Sequence, residues 1–131
     1  VILNRGIDPL ELPFTIGDLA RLRLQVTRRA VRAGLAEPRL SDFVLAVHEV
    51  ASNAIVHGGG KGHILLDRTA EGLRCVITDD GPGLVPPAAG ACFDDEAEHG
   101  RGLWLAEALT DRLEVTAGDC GTTVTLVALL P

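Results

Sequence analysis

Apolar residues recur along this chain with two different periods, and the switches between them mark the elements. LELPFTIGDL (residues 10–19) opens as an extended stretch. Thr15, followed three residues later by Asp18, forms a helix-start signal because both side chains can satisfy free backbone amides. Leu19, Leu22, Val26 and Ala30 then follow at helical spacing until Gly34. A second helix is predicted from around Pro38–Ser41 to about His57, with Leu40, Val44, Val47, Ala51 and Ala54 as its apolar stripe and Gly58–Gly60 as its stop. GHILLDRT and LRCVITDD have the length and turn of an antiparallel hairpin joined around Ala70–Gly72; Leu73, Cys75 and Ile77 alternate with Arg74 and Val76. GRGLWLAEALTD predicts a third helix with a glycine-rich entry, in which Leu103, Ala106 and Leu109 can face a core. LEVTAG and TTVTLVALL predict two further strands around a turn at Asp119–Gly121. Strand, two helices, hairpin, loop, helix and hairpin pack most naturally as a two-layer α/β sandwich.

Between the hairpin and the third helix lies GPGLVPPAAGACFDDEAEHG, with three of the seven prolines and an acidic cluster at Asp94, Asp95, Glu96 and Glu98. At roughly 20 residues it exceeds what a connector needs, and residues 84–99 are expected to form a short functional lid. The whole of residues 1–131 is expected to be one domain, with 1–13 as an N-terminal extended segment or strand.

Composition narrows the function classes. A net charge of −6 disfavours nonspecific nucleic-acid binding. No apolar run approaches the ~20 residues of a bilayer span, and the N-terminus lacks a signal-peptide layout. The chain contains no Met and begins at Val1, as expected of a processed chain or a piece of a longer protein. Cys75, Cys92 and Cys120 are widely spaced without a CxxC pair, which suggests reduced thiols and a cytoplasmic setting. Arg21, Arg28 and Arg32 share one outward side of the first helix, either as a solvated face or as a docking face for an acidic partner.

The candidate chemistry begins in LAVHEVASNAIVHGGG, where Glu49, Asn53 and His57 recur every four residues. Such a row stays on one side of a helix, here on roughly the opposite side from the apolar stripe. A helical Glu–Asn pair alone is more often an ordinary polar pair than a site. The same holds for DDGPG as a turn, GRG as a helix start and GTT as hairpin chemistry.

Taken together in this order, EVASNAIVHG, DDGPG, GRG and GTT resemble the GHKL ATPase superfamily, named for gyrase, Hsp90, histidine kinases and MutL. The resemblance runs from about Phe14 to Leu130. It is nearest to the RsbW/SpoIIAB anti-sigma-factor kinases and to the histidine-kinase-like ATPase domains of actinobacterial regulators. It implies the Bergerat ATP-binding fold: a mixed, mostly antiparallel sheet with three helices on one face. It also implies ATP or ADP with Mg²⁺. Asn53 would offer its amide oxygen to the metal and Glu49 would be the general base. His57 would approach phosphate or close the helix end; Glu49 and His57 alone do not make a zinc site. Asp79 would accept from the adenine amino group while Gly81 and Gly83 let the backbone pass the base closely. Gly100 and Gly102 would open a helix whose free N–H groups hold the triphosphate, with Arg101 and Leu103 beside it. Thr122 would bond near the adenine; Thr123 is the alternative, since strand alternation turns only one of them inward.

The activity implied is serine/threonine-protein kinase activity of an anti-sigma factor toward an anti-anti-sigma (STAS) partner. A sigma factor is the other partner and a homodimer is possible. No direct nucleic-acid or membrane contact is implied. Two other readings stand beside it: the catalytic ATP-binding domain of a larger sensor, and a non-enzymatic, nucleotide-gated sigma-binding module.

Overall fold

Strand alternation places every second residue on one side of a sheet. A computed structural model of the chain describes residues 7–79, 96–117 and 121–130, with the backbone alone at 96–102 and 117. Five strands form one sheet: β1 (Leu10–Thr15), β2 (Lys61–Arg68), β3 (Gly72–Asp79), β4 (Arg112–Ala117) and β5 (Thr122–Leu129). Their spatial order is β1-β2-β3-β5-β4, and all four pairings are antiparallel, so the described sheet is antiparallel throughout rather than mixed. Strand β5 is inserted between β3 and β4.

The register stacks apolar residues in rows across the sheet. One row runs Leu10, Leu66, Cys75, Leu126 and Leu113; the next runs Leu12, Ile64, Ile77, Val124 and Val115. In the third row Phe14 faces Gly62, and further along Asp79 faces Thr122. A Cβ on Gly62 would come 2.7 Å from Cζ of Phe14, so the missing side chain makes room for that ring. The apolar rows therefore end where Asp79 and Thr122 begin.

Three helices, α1 (Leu19–Ala33), α2 (Arg39–His57) and α3 (Glu96–Leu109), cover this face, completing the two-layer sandwich. A single 3-10 turn, Ile16–Asp18, precedes α1. There the Asp18 carboxylate accepts the Thr15 N–H at 2.8 Å and the Thr15 hydroxyl at 3.2 Å, as the Thr15–Asp18 spacing predicted. Helix α1 buries Leu22, Val26, Ala30 and Ala33 and ends at Gly34 (φ 103°). That left-handed conformation favours glycine.

Helix α2 is central: it packs on α1, α3, β2, β3 and β5. Its buried positions are Phe43, Ala46, Val47, Val50, Ala51, Ala54 and Ile55, a repeated three-then-one spacing that gives a broad apolar arc. The expected stripe was displaced to one side of this arc. Leu40 and Val44 are only half-buried, because the Phe43 ring takes the core position.

Cys75 is fully buried and unbridged; Cys92 and Cys120 lie outside the described residues. Burial first, and the Asp67 carboxylate second, push the Cys75 thiol far up, which leaves it a packing group and not a nucleophile. No helix of the described residues is long and apolar enough to cross a membrane.

Candidate nucleotide site

The polar row on α2 borders the buried arc. Each four-residue step advances about 40° beyond a full turn, so Glu49, Asn53 and His57 drift from the outer side toward the core. All three are half-buried, which corrects the expectation of a row roughly opposite the apolar stripe. The row lies on the flank away from α1; the α1 flank is a separate groove of about 280 Å³ lined by Arg23, Leu40, Val44, Leu45 and His48 among others. Asn53 Nδ2 is buried and has no hydrogen-bond partner among the described residues. A buried donor without an acceptor costs about 1–3 kcal/mol, so this amide stands beside a group that a ligand can supply.

The row leads to Asp79. Gly58 caps α2 with its N–H on the Ala54 carbonyl at 2.7 Å. Gly59 (φ 90°) and Gly60 (φ 93°) then reverse the chain into β2. A Cβ on Gly58 would come within 2.5 Å of both Cβ and Cγ of Asp79, so the helix end rests directly on that residue. Along the helix axis Asn53 lies about 7.5 Å, and Glu49 about 13.5 Å, from Gly58. Asp79 and Thr122 are direct cross-strand partners on the helix-covered face, both half-buried. Thr123 takes the opposite parity and projects to the uncovered face with Thr125. Of the two threonine candidates, Thr122 therefore shares the face with Asp79.

Other candidates fall differently. Gly81 and Gly83, with most of the expected lid, lie outside the described residues. Helix α3 begins at Glu96, four residues before Gly100, which corrects the expected helix start. Gly100 and Gly102 lie inside the helix, past the free N–H groups of its first turn. Ala and Glu are good helix formers and acidic residues suit a helix N-terminus, so Glu96–Glu98 extends the helix backward. Arg101 lies on the same helical backbone. Leu103 is half-buried against the core, as are Leu109 and, more deeply, Ala106.

The donor set fits magnesium better than a protein-caged metal. Among the described residues no three His, Cys, Asp or Glu side chains gather as a metal site. Mg²⁺ instead takes one or two protein oxygens and fills its shell with phosphate and water. The Asn53 amide oxygen and a carboxylate one turn away suit that pattern, while the unpartnered Asn53 N–H₂ suits an acceptor such as a phosphate oxygen. Sequence reasoning saw Gly58 only as a helix stop. The available signal was a run of three glycines where the turn needs positive φ at only two.

A two-layer sandwich with a polar helix row leading to a strand-end carboxylate is compatible with a nucleotide-binding ATPase-type domain. The profile of the histidine kinase-like ATPase domain family matches residues 12–128, and the chain belongs to that family. Among its relatives, the serine-protein kinase RsbW of Bacillus pumilus (strain SAFR-032) is 27% identical over a 146-residue alignment covering 98% of this chain and 90% of that protein. RsbW of Bacillus licheniformis is 26% identical, covering 98% and 89%. The crystal structure of the RsbU and RsbW domains of Rv1364c from Mycobacterium tuberculosis superposes with a TM-score of 0.67 at 26% identity, over 94% of this chain. This chain spans 32% of that longer protein. The SiaB–SiaC complex from Pseudomonas aeruginosa shares the fold, with a TM-score of 0.55 at 14% identity. The chain is thus an RsbW-like member of the GHKL class.

Proposed function

We propose that this protein binds ATP with Mg²⁺ and transfers the γ-phosphate to a serine or threonine of a small STAS-type partner, releasing or capturing a sigma factor in turn. The observation that carries this reading is the half-buried Glu49–Asn53 row, with its unpartnered Asn53 amide, running to Asp79 and Thr122. Asp79 accepts the adenine amino group. The C-terminal end of α2 is electronegative, so a carboxylate held against it gains from an N–H₂ donor. Guanine presents a carbonyl there and is rejected. Thr122 supplies a hydroxyl beside the same edge. Asn53 would hold Mg²⁺, which when bound neutralises phosphate charge. His57, in the last turn of α2 and next to Gly58, closes the helix end on the Asp79 side of the pocket.

Glu49 orients the acceptor hydroxyl and takes its proton as the hydroxyl oxygen bonds to the γ-phosphorus and the bond to the ADP leaving oxygen breaks. Gly100 and Gly102 contact the triphosphate only when the first turn of α3 opens. Each glycine within a helix costs about 1 kcal/mol relative to alanine, so Gly100 and Gly102 weaken the turn on which the first one rests. The partner docks on the outer face of α1, where Arg21, Arg28 and Arg32 are exposed beside Leu24 and Val31, and no described carboxylate pairs with these arginines. Phosphorylation adds nearly two negative charges to the partner and so changes its fit. The setting is the cytoplasm. A second reading, an ATPase module inside a longer regulator, draws on the Mycobacterium tuberculosis protein, where an RsbW domain shares a chain with RsbU.

Calorimetry tests the binding step. The wild type binds ADP and ATP more tightly with Mg²⁺ than without, and Asn53→Ala removes that difference. Identical metal dependence in both proteins overturns the magnesium assignment.

A further inference from the structure

The three glycines that close α2 serve different ends. Gly59 and Gly60 have positive φ, which excludes most side chains whatever the space around them. Gly58 does not: its φ of −108° and ψ of 22° are open to other residues. What Gly58 lacks is room. A Cβ there would collide with the Ala54 carbonyl oxygen and lie 2.5 Å from Cβ and from Cγ of Asp79. Gly58 is buried, and Asp79 is held at the end of β3 opposite Thr122. A side chain at position 58 must displace either the helix end or the carboxylate.

We infer that Gly58 is a positioning residue for base recognition: its bare Cα lets α2 seat directly on Asp79 and so aims that carboxylate. The contact also ties the two ends of the site together. Asn53 and Glu49 are on the rigid helix that Gly58 terminates, and Asp79 is the residue that the helix end touches. The distance from base-reading carboxylate to phosphate-handling side chains is thereby set by backbone packing and not by a flexible side chain. The inference rests on the reading of Asp79 as the adenine acceptor.

The test uses ATP and purine riboside triphosphate, which differs by lacking the amino group, on the full chain with Mg²⁺. The wild type prefers ATP by about tenfold or more, the usual effect of a hydrogen-bonded substrate group. In Gly58→Ala that preference collapses toward unity, while binding of purine riboside triphosphate is nearly unchanged. General damage to the pocket instead weakens both nucleotides alike, and a variant that keeps the wild-type ratio overturns the inference alone. A wild type that binds both nucleotides equally overturns the reading of Asp79, and the inference with it. If Gly58→Ala folds poorly, a thermal-stability cycle with Asp79→Gly decides. The cost of Gly58→Ala shrinks in the Asp79→Gly background if Asp79 is the obstacle. An undiminished cost assigns the collision to the Ala54 carbonyl and overturns the inference.

Discussion

The two ends of the β3–β5 ladder treat polar side chains in opposite ways. At the Gly72–Leu129 end they pair with one another. Asp111 accepts the Leu129 N–H at 2.7 Å and an Arg39 N–H at 2.5 Å, while Arg39 also donates to the Leu129 carbonyl at 2.9 Å. Arg112 meets Glu71 at 2.7 Å, and Arg74 meets Asp67 at 3.0 Å. Among the described residues only Arg68 Nη1 is buried there without a partner. At the Asp79–Thr122 end the polar groups converge from α2, β3 and β5, half-buried, with the Asn53 amide nitrogen unpartnered. Apart from Arg68, the first end is finished by the chain itself. On the proposed reading the second is a cradle whose Asn53 amide a nucleotide completes. The polarity of a residue does not separate structure from function here; where its partner comes from does.

That contrast predicts that variants at the cradle lose chemistry while keeping the fold, and variants at the closed end do the reverse. The largest expected effect is Glu49→Ala. Phosphotransfer from labelled ATP to a STAS-domain serine falls by about 10²–10⁴-fold, the usual contribution of a general base, with the thermal midpoint unchanged. Normal transfer by this variant removes Glu49 from the base role. Next, Asp79→Ala weakens ATP by about ten- to hundredfold in calorimetry, since a hydrogen bond to a charged acceptor is worth about 1.5–3 kcal/mol. Unaltered affinity places the base elsewhere.

Asp111→Ala then tests the closed end. It strands the Leu129 N–H and loosens Arg39, lowering stability by about 1–2 kcal/mol in urea titration. Nucleotide affinity stays as in the wild type, and a matching loss of affinity would blur the division between the two ends. The smallest effect is at Glu71→Gln. The Arg112 hydrogen bond, and then its charge, hold the Glu71 carboxyl below its ordinary value. A depressed carboxylate stabilises the fold above its unfolded pKa, and that contribution disappears as pH falls through the folded value. The small deficit in melting temperature of the variant is therefore seen at neutral pH and fades below about pH 4. Because the pair is exposed, high salt also diminishes the deficit. A deficit that grows in acid contradicts the assignment.

Local pattern carried much of this molecule. The strand and helix segments were legible because each keeps its period over five or more residues, as in Leu73–Cys75–Ile77 or Leu22–Val26–Ala30. Gly34 and the Thr15–Asp18 pair marked boundaries through their own local chemistry. The start of α3 was misplaced because Gly100 and Gly102 are strong punctuation, while the helix-forming Glu96–Glu98 lay in a stretch dominated by proline and glycine. The α2 stripe was misjudged because Phe43 and Val44 both offer an apolar position, and only the surrounding core selects between them.

From the amino-acid order alone came the elements, the two-layer architecture, the four-residue recurrence of Glu49, Asn53 and His57, and the motif series that resembles the GHKL class. These follow from short-range geometry: the helical turn and the strand pleat dictate which side chains share a side. Tertiary structure alone decided that β5 inserts between β3 and β4, so that Thr122 rather than Thr123 stands with Asp79. It also decided how far α2 rotates its polar row toward the core, and that Gly58 touches Asp79. Those outcomes depend on contacts between segments distant in the chain. They are selected by the packing of the whole core, which no local window of residues contains.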